Sequence, residues 1–341
     1  MSGELIDENR RGPLRSLRGV QVVATGSYVP DIVVTNDDLH ARFGFDPSWI
    51  VQRTGIRERR QAPPEMATSD MAVLAARQCL ERAGAKPSDV DLVLVGTFTP
   101  DMSFPATACL VQDQLGIRAP AVDLQAACAG FMYALVIGGQ FVCTGNSKLA
   151  LIIGADCNSR ILNPKDQQTY PLFGDGAGAV LLAAGEREQG LISYTLGSDG
   201  SGGDLLCRRM GGSRVPFAAN LVDEGWQYLQ MDGRSVFKWA VRLLDESITA
   251  VLKESNLAPG DIDLVVLHQA NVRIIYAATD VLGIDRKRVF LNLDRYGNTS
   301  AGSIPLALDE AISQGRIRRG DRILVSGFGA GLAWGTAVWR W

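Results

Sequence analysis

Leu80-Glu-Arg-Ala-Gly-Ala-Lys-Pro-Ser-Asp-Val-Asp-Leu-Val-Leu-Val-Gly96 aligns without a gap on Leu252-Lys-Glu-Ser-Asn-Leu-Ala-Pro-Gly-Asp-Ile-Asp-Leu-Val-Val-Leu-His268, 172 residues further along the chain. Each copy reads as a helix end, a proline-containing turn and a short apolar run of strand formers. A second echo pairs residues 145–154 (GNSKLALIIG) with residues 320–329 (GDRILVSGFG), at an offset of 175. Two matches at nearly one offset, close to half the chain length, point to a duplicated unit. The halves meet near residue 187, in the polar stretch Gly185-Glu-Arg-Glu-Gln-Gly190. This divides the chain into a polar N-terminal extension (1–18), a first half (19–187) and a second half (188–341).

Around this repeat, short β-rich runs alternate with helical stretches. They cover residues 20–24, 91–96, 149–154, 179–183, 263–268 and 322–326, an α/β pattern. The 341 residues are 46% hydrophobic and 21% charged, which describes a globular chain. Net charge is −3 with both signs interleaved, so no overall field draws nucleic acid, and an acidic partner needs a local basic patch. The first 19 residues are polar and lack the apolar core of a secretory signal, and no apolar run is long enough for a membrane helix. Six cysteines without a CxxC pair fit a reduced, cytoplasmic protein, with neither a disulfide framework nor a metal site.

Chemistry concentrates in Val122-Asp-Leu-Gln-Ala-Ala-Cys-Ala-Gly-Phe-Met-Tyr-Ala-Leu-Val136. A strand ends in small residues, Cys128 follows, and a helical pattern begins at once. The thiol is expected at a helix N-terminus, where free N–H groups and the dipole favour the thiolate. His268 ends an apolar strand where the first copy has Gly96, so the second half carries a functional side chain at a strand's carboxyl end. Asn298 lies in a glycine-flanked loop before the helical stretch 304–312. It is either a cap or, if Ser300 or Ser303 caps instead, a free amide. The glycine stretches Gly174-Asp-Gly-Ala-Gly178 and Gly327-Phe-Gly-Ala-Gly331 are not G-x-G-x-x-G loops and read as tight backbone packing.

Taken together, several segments resemble the β-ketoacyl-acyl-carrier-protein synthase III family of thiolase-superfamily condensing enzymes. They are Asp123-Leu-Gln-Ala-Ala-Cys-Ala-Gly-Phe131, Phe173-Gly-Asp-Gly-Ala-Gly-Ala179, His268-Gln-Ala-Asn271, Asp294-Arg-Tyr-Gly-Asn-Thr-Ser-Ala301 and Phe328-Gly-Ala-Gly-Leu-Ala-Trp-Gly335, with Trp49–Arg59 near the start. The resemblance implies a thiolase fold, two duplicated α/β halves in a layered αβαβα core, and a homodimer. It implies decarboxylating condensation of a short acyl-CoA with malonyl-acyl carrier protein, with no cofactor beyond the coenzyme A thioester substrate. Nucleic acid and membrane have no part in it.

Carried over by position, the catalytic residues are Cys128, His268 and Asn298, with backbone N–H groups of Cys128 and Ala330 as oxyanion donors. Trp49, Arg53, Phe237 and Asn271 correspond to coenzyme A contacts. Lys238 and Arg273 correspond to carrier-protein contacts, and Phe104 to the residue a partner subunit inserts at the acyl pocket. Where a thiolase would carry a second reactive cysteine this chain reads Phe328-Gly-Ala-Gly-Leu332, and where a hydroxymethylglutaryl-type synthase would carry a catalytic Glu it has Gln125 and alanines, so the resemblance implies that Asn298 selects decarboxylating condensation. Three departures stand out. Gln167 replaces a nucleotide-stacking arginine. Thr279 and Asp280 replace patch lysines, with Arg286, Lys287 and Arg288 near enough to compensate. Tyr170-Pro-Leu-Phe173 replaces a β-branched run. A relative in specialised metabolism and a thioesterase are the rival readings.

Overall fold

The structure, a computed structural model, describes residues 19–341; the proposed extension 1–18 lies outside the described residues. The first part of the chain runs β1 (Gly19–Tyr28), β2 (Ile32–Thr35), α1 (Asn36–Phe43), α2 (Pro47–Thr54), β3 (Glu58–Gln61) and α3 (Thr68–Ala83). It continues with β4 (Leu92–Gly96), α4 (Thr107–Leu115), β5 (Ala121–Leu124), α5 (Gly130–Cys143), β6 (Leu149–Asp156) and β7 (Gly176–Gly185). The remainder begins with β8 (Gly190–Ser198), the short pair β9 (Leu206–Cys207) and β10 (Gln230–Met231), and the long helix α6 (Gly233–Glu254). It ends with β11 (Leu264–Leu267), α7 (Val272–Val281), α8 (Leu293–Tyr296), α9 (Ser303–Ser313), β12 (Arg322–Gly329) and β13 (Ala333–Arg340).

Two sheets organise these elements. One has the order β1-β7-β6-β4-β5 and the other β8-β13-β12-β11. In each, the strand of the repeated motif (β4 or β11) lies parallel to the next (β6 or β12); β4 is also parallel to β5, and the remaining pairs are antiparallel. The fifth strand, β5, has a vestigial counterpart: Val289 forms a single parallel bridge with Val265.

The alternation of strand side chains explains the layers. Leu92 and Leu94 of β4, Ile152 of β6, Val266 of β11 and Val325 of β12 all face a central core shared by both sheets. Phe131, Met132 and Leu135 of α5 and Ile304, Ala307 and Leu308 of α9 fill that core. Val93 and Val95 point the other way, onto α3 and α4, and Val265 and Leu267 onto α6 and α7. The result is a five-layer αβαβα thiolase fold, and strands buried on both faces are written as unbroken apolar runs. Among the described residues, no helix is long and apolar enough to cross a membrane.

The inner layer leaves little room. A Cβ on Gly154, at the carboxyl end of β6, would lie 2.1 Å from the backbone oxygen of Ala301. Gly154→Ala therefore forces strand and loop apart and should lower unfolding free energy by about 1–3 kcal/mol, the usual cost of overpacking a filled core. Thermal or urea denaturation measures this; an unchanged melting temperature would show that the contact yields freely.

Candidate active site

Cys128, His268 and Asn298 come from separate elements and line one small cavity of about 90 Å³, together with Phe237, Asn271 and Phe328. Cys128 also borders a second cavity of about 1200 Å³ that runs past Phe98, Gln125, Cys157 and Ala330 towards Met102 and Ser103. The thiol thus stands where two chambers meet.

Cys128 occupies a single 3₁₀ turn, Ala127–Ala129, between β5 and α5. Ala127 takes φ +46°, a strained value for a residue with a side chain, and this sharp turn presents the thiol ahead of the helix. β12 passes close behind it: a Cβ on Gly329 would lie 2.7 Å from the Cys128 nitrogen. The expected helix N-terminus is present, since α5 begins at Gly130. The expected thiolate is not the resting form. Burial pushes the Cys128 thiol up to about 12; the hydrogen bond with Ser300 opposes the rise and the Asp156 charge adds to it. Desolvation outweighs the dipole because the sulfur is closed in on nearly every side.

His268 follows β11, its N–H donating to the Ser326 carbonyl at 2.8 Å. Its ring meets Phe328 edge-on with centroids 5.3 Å apart, and its Nδ1 is buried without a partner. Burial lowers its pKa to about 3, so the imidazole is neutral and one ring nitrogen carries a hydrogen it can donate.

Asn298 is held by backbone on both sides, its N–H donating to Leu172 O (2.8 Å) and its carbonyl accepting from Gly174 N (3.0 Å). Its Oδ1 accepts from the Ser300 N–H at 2.8 Å. That bond fixes which end of the amide is which and leaves Nδ2 to the cavity. Neither Ser300 nor Ser303 caps α9, whose N-terminus has no side-chain cap. Asn298 instead closes a local turn on the Ser300 N–H, and the 3₁₀ turn Ser300–Gly302 has no side-chain cap.

Two residues here were not expected at the site: Asp156 had no reading in the sequence, and Ser300 was read only as a possible cap. Asp156, wholly buried at the end of β6, accepts with Oδ1 from the Thr97 and Thr99 hydroxyls and the Phe98 and Thr99 amides, and with Oδ2 from Ala301 N. Burial raises it to about 6 against those five donors. Ser300 places its Oγ 3.0 Å from the Cys128 sulfur.

The outer candidates are more dispersed. Trp49 is half-buried against a small cluster with Leu39, Phe45 and Ile50, while Arg53 and Gln167 are exposed. Asn271 caps α7 by accepting from Arg273 N and donates to Arg53 O at 3.0 Å, so its amide joins α2 to α7. Arg273 stacks 5.5 Å from the centre of the Phe237 ring, and Lys238 is exposed beside it. Thr279 is fully buried and offers no surface. Asp280 pairs with Arg286 at 2.6 Å, and Arg288 donates to the carbonyls of Gly260 and Ile262. Two of the three nearby basic residues are therefore already engaged. Ala330 is not among the residues of positive φ, so an ordinary backbone donor is retained there. Phe104 is 84% exposed. Among the described residues, no cluster of three or more His, Cys, Asp or Glu is arranged to hold a metal ion.

A buried thiol, a neutral imidazole and an oriented amide thus face one cavity, at the inner end of two like sheets. Residues 122–200 match the family described as 3-oxoacyl-[acyl-carrier-protein] synthase III, and residues 252–341 match its C-terminal part. A β-ketoacyl-[acyl-carrier-protein] synthase III of Rhodopirellula baltica is 53% identical, the alignment covering 96% of this chain and 99% of that one. The crystal structure of the synthase III of Thermus thermophilus superposes with a TM-score of 0.87 at 43% identity, covering 94% and 98% of the two chains. The priming β-ketosynthase of the R1128 polyketide biosynthetic pathway gives 0.87 at 34% identity, covering 96% and 98%. The chain belongs to the 3-oxoacyl-[acyl-carrier-protein] synthase III family, enzymes of condensing acyl transfer.

With only two histidines in the chain, ring ¹⁵N spectra can follow His268 directly. Because burial penalises the charged ring and its pKa falls to about 3, the neutral form persists on acidification well past the ordinary imidazole value. The His268 nitrogens should keep neutral shifts from roughly pH 8 to 5, a window in which a free imidazole titrates. An imidazolium signature within that window would contradict the donor state assigned here.

Proposed function

We propose that this protein catalyses the decarboxylating condensation of a short acyl-CoA with malonyl-acyl carrier protein, the step that initiates fatty-acid synthesis. The observation that carries the reading is the convergence of Cys128, His268 and Asn298 on one buried cavity. Cys128 attacks the thioester carbonyl of acyl-CoA, the C–S bond to coenzyme A breaks, and the proton of the thiol leaves on the departing coenzyme A. Malonyl-acyl carrier protein then loses CO₂, and the enolate oxygen that results is held by N–H donors of His268 and Asn298. The enolate carbon attacks the acyl-enzyme carbonyl, whose oxygen is held by the backbone N–H groups of Cys128 and Ala330. Collapse breaks the C–S bond to Cys128 and releases 3-oxoacyl-acyl carrier protein, and the cysteine thiolate takes up a proton from solvent.

Burial supports these roles. Neutral donors in a dry site interact only weakly with an uncharged thioester carbonyl, and they act strongly only when negative charge develops on its oxygen. The small cavity, with Phe237 and Asn271 at its wall, suits the arm of the thioester; the large one beyond the thiol suits the acyl chain. Trp49, Arg53, Lys238 and Arg273 complete the reading as contacts for coenzyme A and the carrier protein. The exposed ring of Phe104 suits burial against a second copy of the chain. Six free cysteines fit a reducing, cytoplasmic setting. The division into halves 19–187 and 188–341 belongs to the same proposal. The polyketide-pathway neighbour favours one second reading, a priming condensation with a different acyl donor, which a panel of acyl-CoAs of varied length and branching would separate.

Two variants test the scheme. Cys128→Ala should abolish acyl labelling from acyl-CoA, read by intact mass, while the fold survives. Labelling that persists at Cys157 or Cys109 would mean another thiol carries the acyl group. Asn298→Ala should slow release of ¹⁴CO₂ from labelled malonyl-acyl carrier protein by roughly two to three orders of magnitude, the scale of one lost oxyanion donor. Its acylation by acyl-CoA should fall much less. Equal loss of both half-reactions would make Asn298 a structural cap and refute the role given to it.

A further inference from the structure

The repeat has a chemical consequence at the centre of the molecule. The offset that carries Leu80–Gly96 onto Leu252–His268 also carries Ala127-Cys-Ala-Gly130 onto Thr299-Ser-Ala-Gly302, so Cys128 and Ser300 are equivalent positions of the two halves. Each lies in a single 3₁₀ turn that leads into an inner-layer helix, α5 or α9. The structure brings these two equivalents face to face: Ser300 Oγ lies 3.0 Å from Cys128 Sγ, both side chains buried. The hydroxyl has no other hydrogen-bond partner among the described residues.

Ser300 is held in place. Its φ is +56°, a conformation that a glycine would adopt without strain and a serine does not. Its own N–H donates to Asn298 Oδ1 at 2.8 Å, and the next N–H, of Ala301, donates to Asp156 Oδ2 at 3.0 Å. The two bonds pin the peptide on either side and aim the hydroxyl at the sulfur. Of the charged and titratable groups around Cys128, the Asp156 carboxylate on β6 disfavours negative charge on the sulfur, and His268, just after β11, is neutral and supplies no cation. A thiol can donate or accept in the contact with Ser300. A thiolate can only accept, and charge-assisted hydrogen bonds are roughly twice as strong as neutral ones.

We infer that Ser300 is a further catalytic residue, whose hydroxyl donates to the Cys128 sulfur as its charge develops and so supports formation of the nucleophile. This deepens the proposed function and rests on Cys128 being the acyl carrier. It also gives one residue two duties, since the N–H of Ser300 orients the Asn298 amide that serves the other half-reaction.

The test uses the full chain with Ser300→Ala, which removes the hydroxyl, and Ser300→Gly, which removes it and relieves the positive φ. Each variant is treated with iodoacetamide over a range of pH, and alkylation is quantified by mass spectrometry on the peptide containing Cys128. Alkylation forms a thioether and releases iodide, so its rate follows the thiolate fraction. Both variants should react about tenfold more slowly than the parent at any given pH, as expected if the donor is worth one pKa unit. A parental rate in both variants overturns the inference. So does a parental rate in Ser300→Gly with a slow Ser300→Ala, because backbone strain rather than the hydroxyl would then govern the thiol. If Ser300→Ala melts early, Ser300→Gly carries the measurement, its backbone being the less strained. The readout belongs to the Cys128 thiol whether or not that thiol carries the acyl group. The acyl-labelling test of Cys128→Ala therefore fails or succeeds independently of it.

Discussion

Backbone packed directly on backbone at the start of α5 is the constraint on which the rest of the site depends. Gly154 of β6 leaves space for the Ala301 carbonyl, and Gly329 of β12 leaves space for the Cys128 peptide. No side chain separates these segments, so the turn bearing the thiol and the loops bearing Ser300 and Asn298 approach as closely as peptide units can. A proposed site spread over residues 128, 268 and 298 holds its geometry only if the strands and turns that carry it cannot slide. A displacement of about 1 Å costs orders of magnitude in rate, and a packed interior transmits such a shift rather than absorbing it.

Desolvation then sets the protonation states. The thiol is pushed up, the imidazole down and the Asp156 carboxyl up, each towards its neutral form. A site that would read as a charged pair on paper is in its resting state a set of polar groups without formal charge, Asp156 excepted. That carboxylate is stabilised by five donors and serves as an anchor between the Thr97–Thr99 segment and the loop that follows Ser300.

Much of this was legible in the amino-acid order, for physical reasons. Strands buried on both faces require unbroken apolar runs, so β4, β6, β11 and β12 stand out, and their repetition at one offset anticipates two sheets of like order. β8 and β13 do not stand out. β8 lies at a sheet edge with several residues partly exposed, and β13 mixes Trp, Gly and Thr with its apolar residues although nearly all of it is buried. The positions of Cys128, His268 and Asn298 were readable from motif and placement. The balance of forces on the thiol was not, because enclosure by distant segments leaves no local trace. Ser300 reads locally as a turn residue, and its contact depends on a positive φ and on a partner half a chain away. Thr279, matched to a surface patch by alignment, faces inward on α7; helix phase decided what position alone could not.

The central core has a temporal consequence. Phe131, Met132 and Leu135 of α5 are buried between the two sheets, and three of the four strands of the second sheet come from residues after 260. During synthesis the segment bearing Cys128 leaves the ribosome well before β11, β12 and β13 exist to cover it. Until the last strand is translated, an apolar helix and its neighbouring thiol stand open to water, oxidants and other nascent chains. Completion of the chain thus both stabilises α5 and shields Cys128.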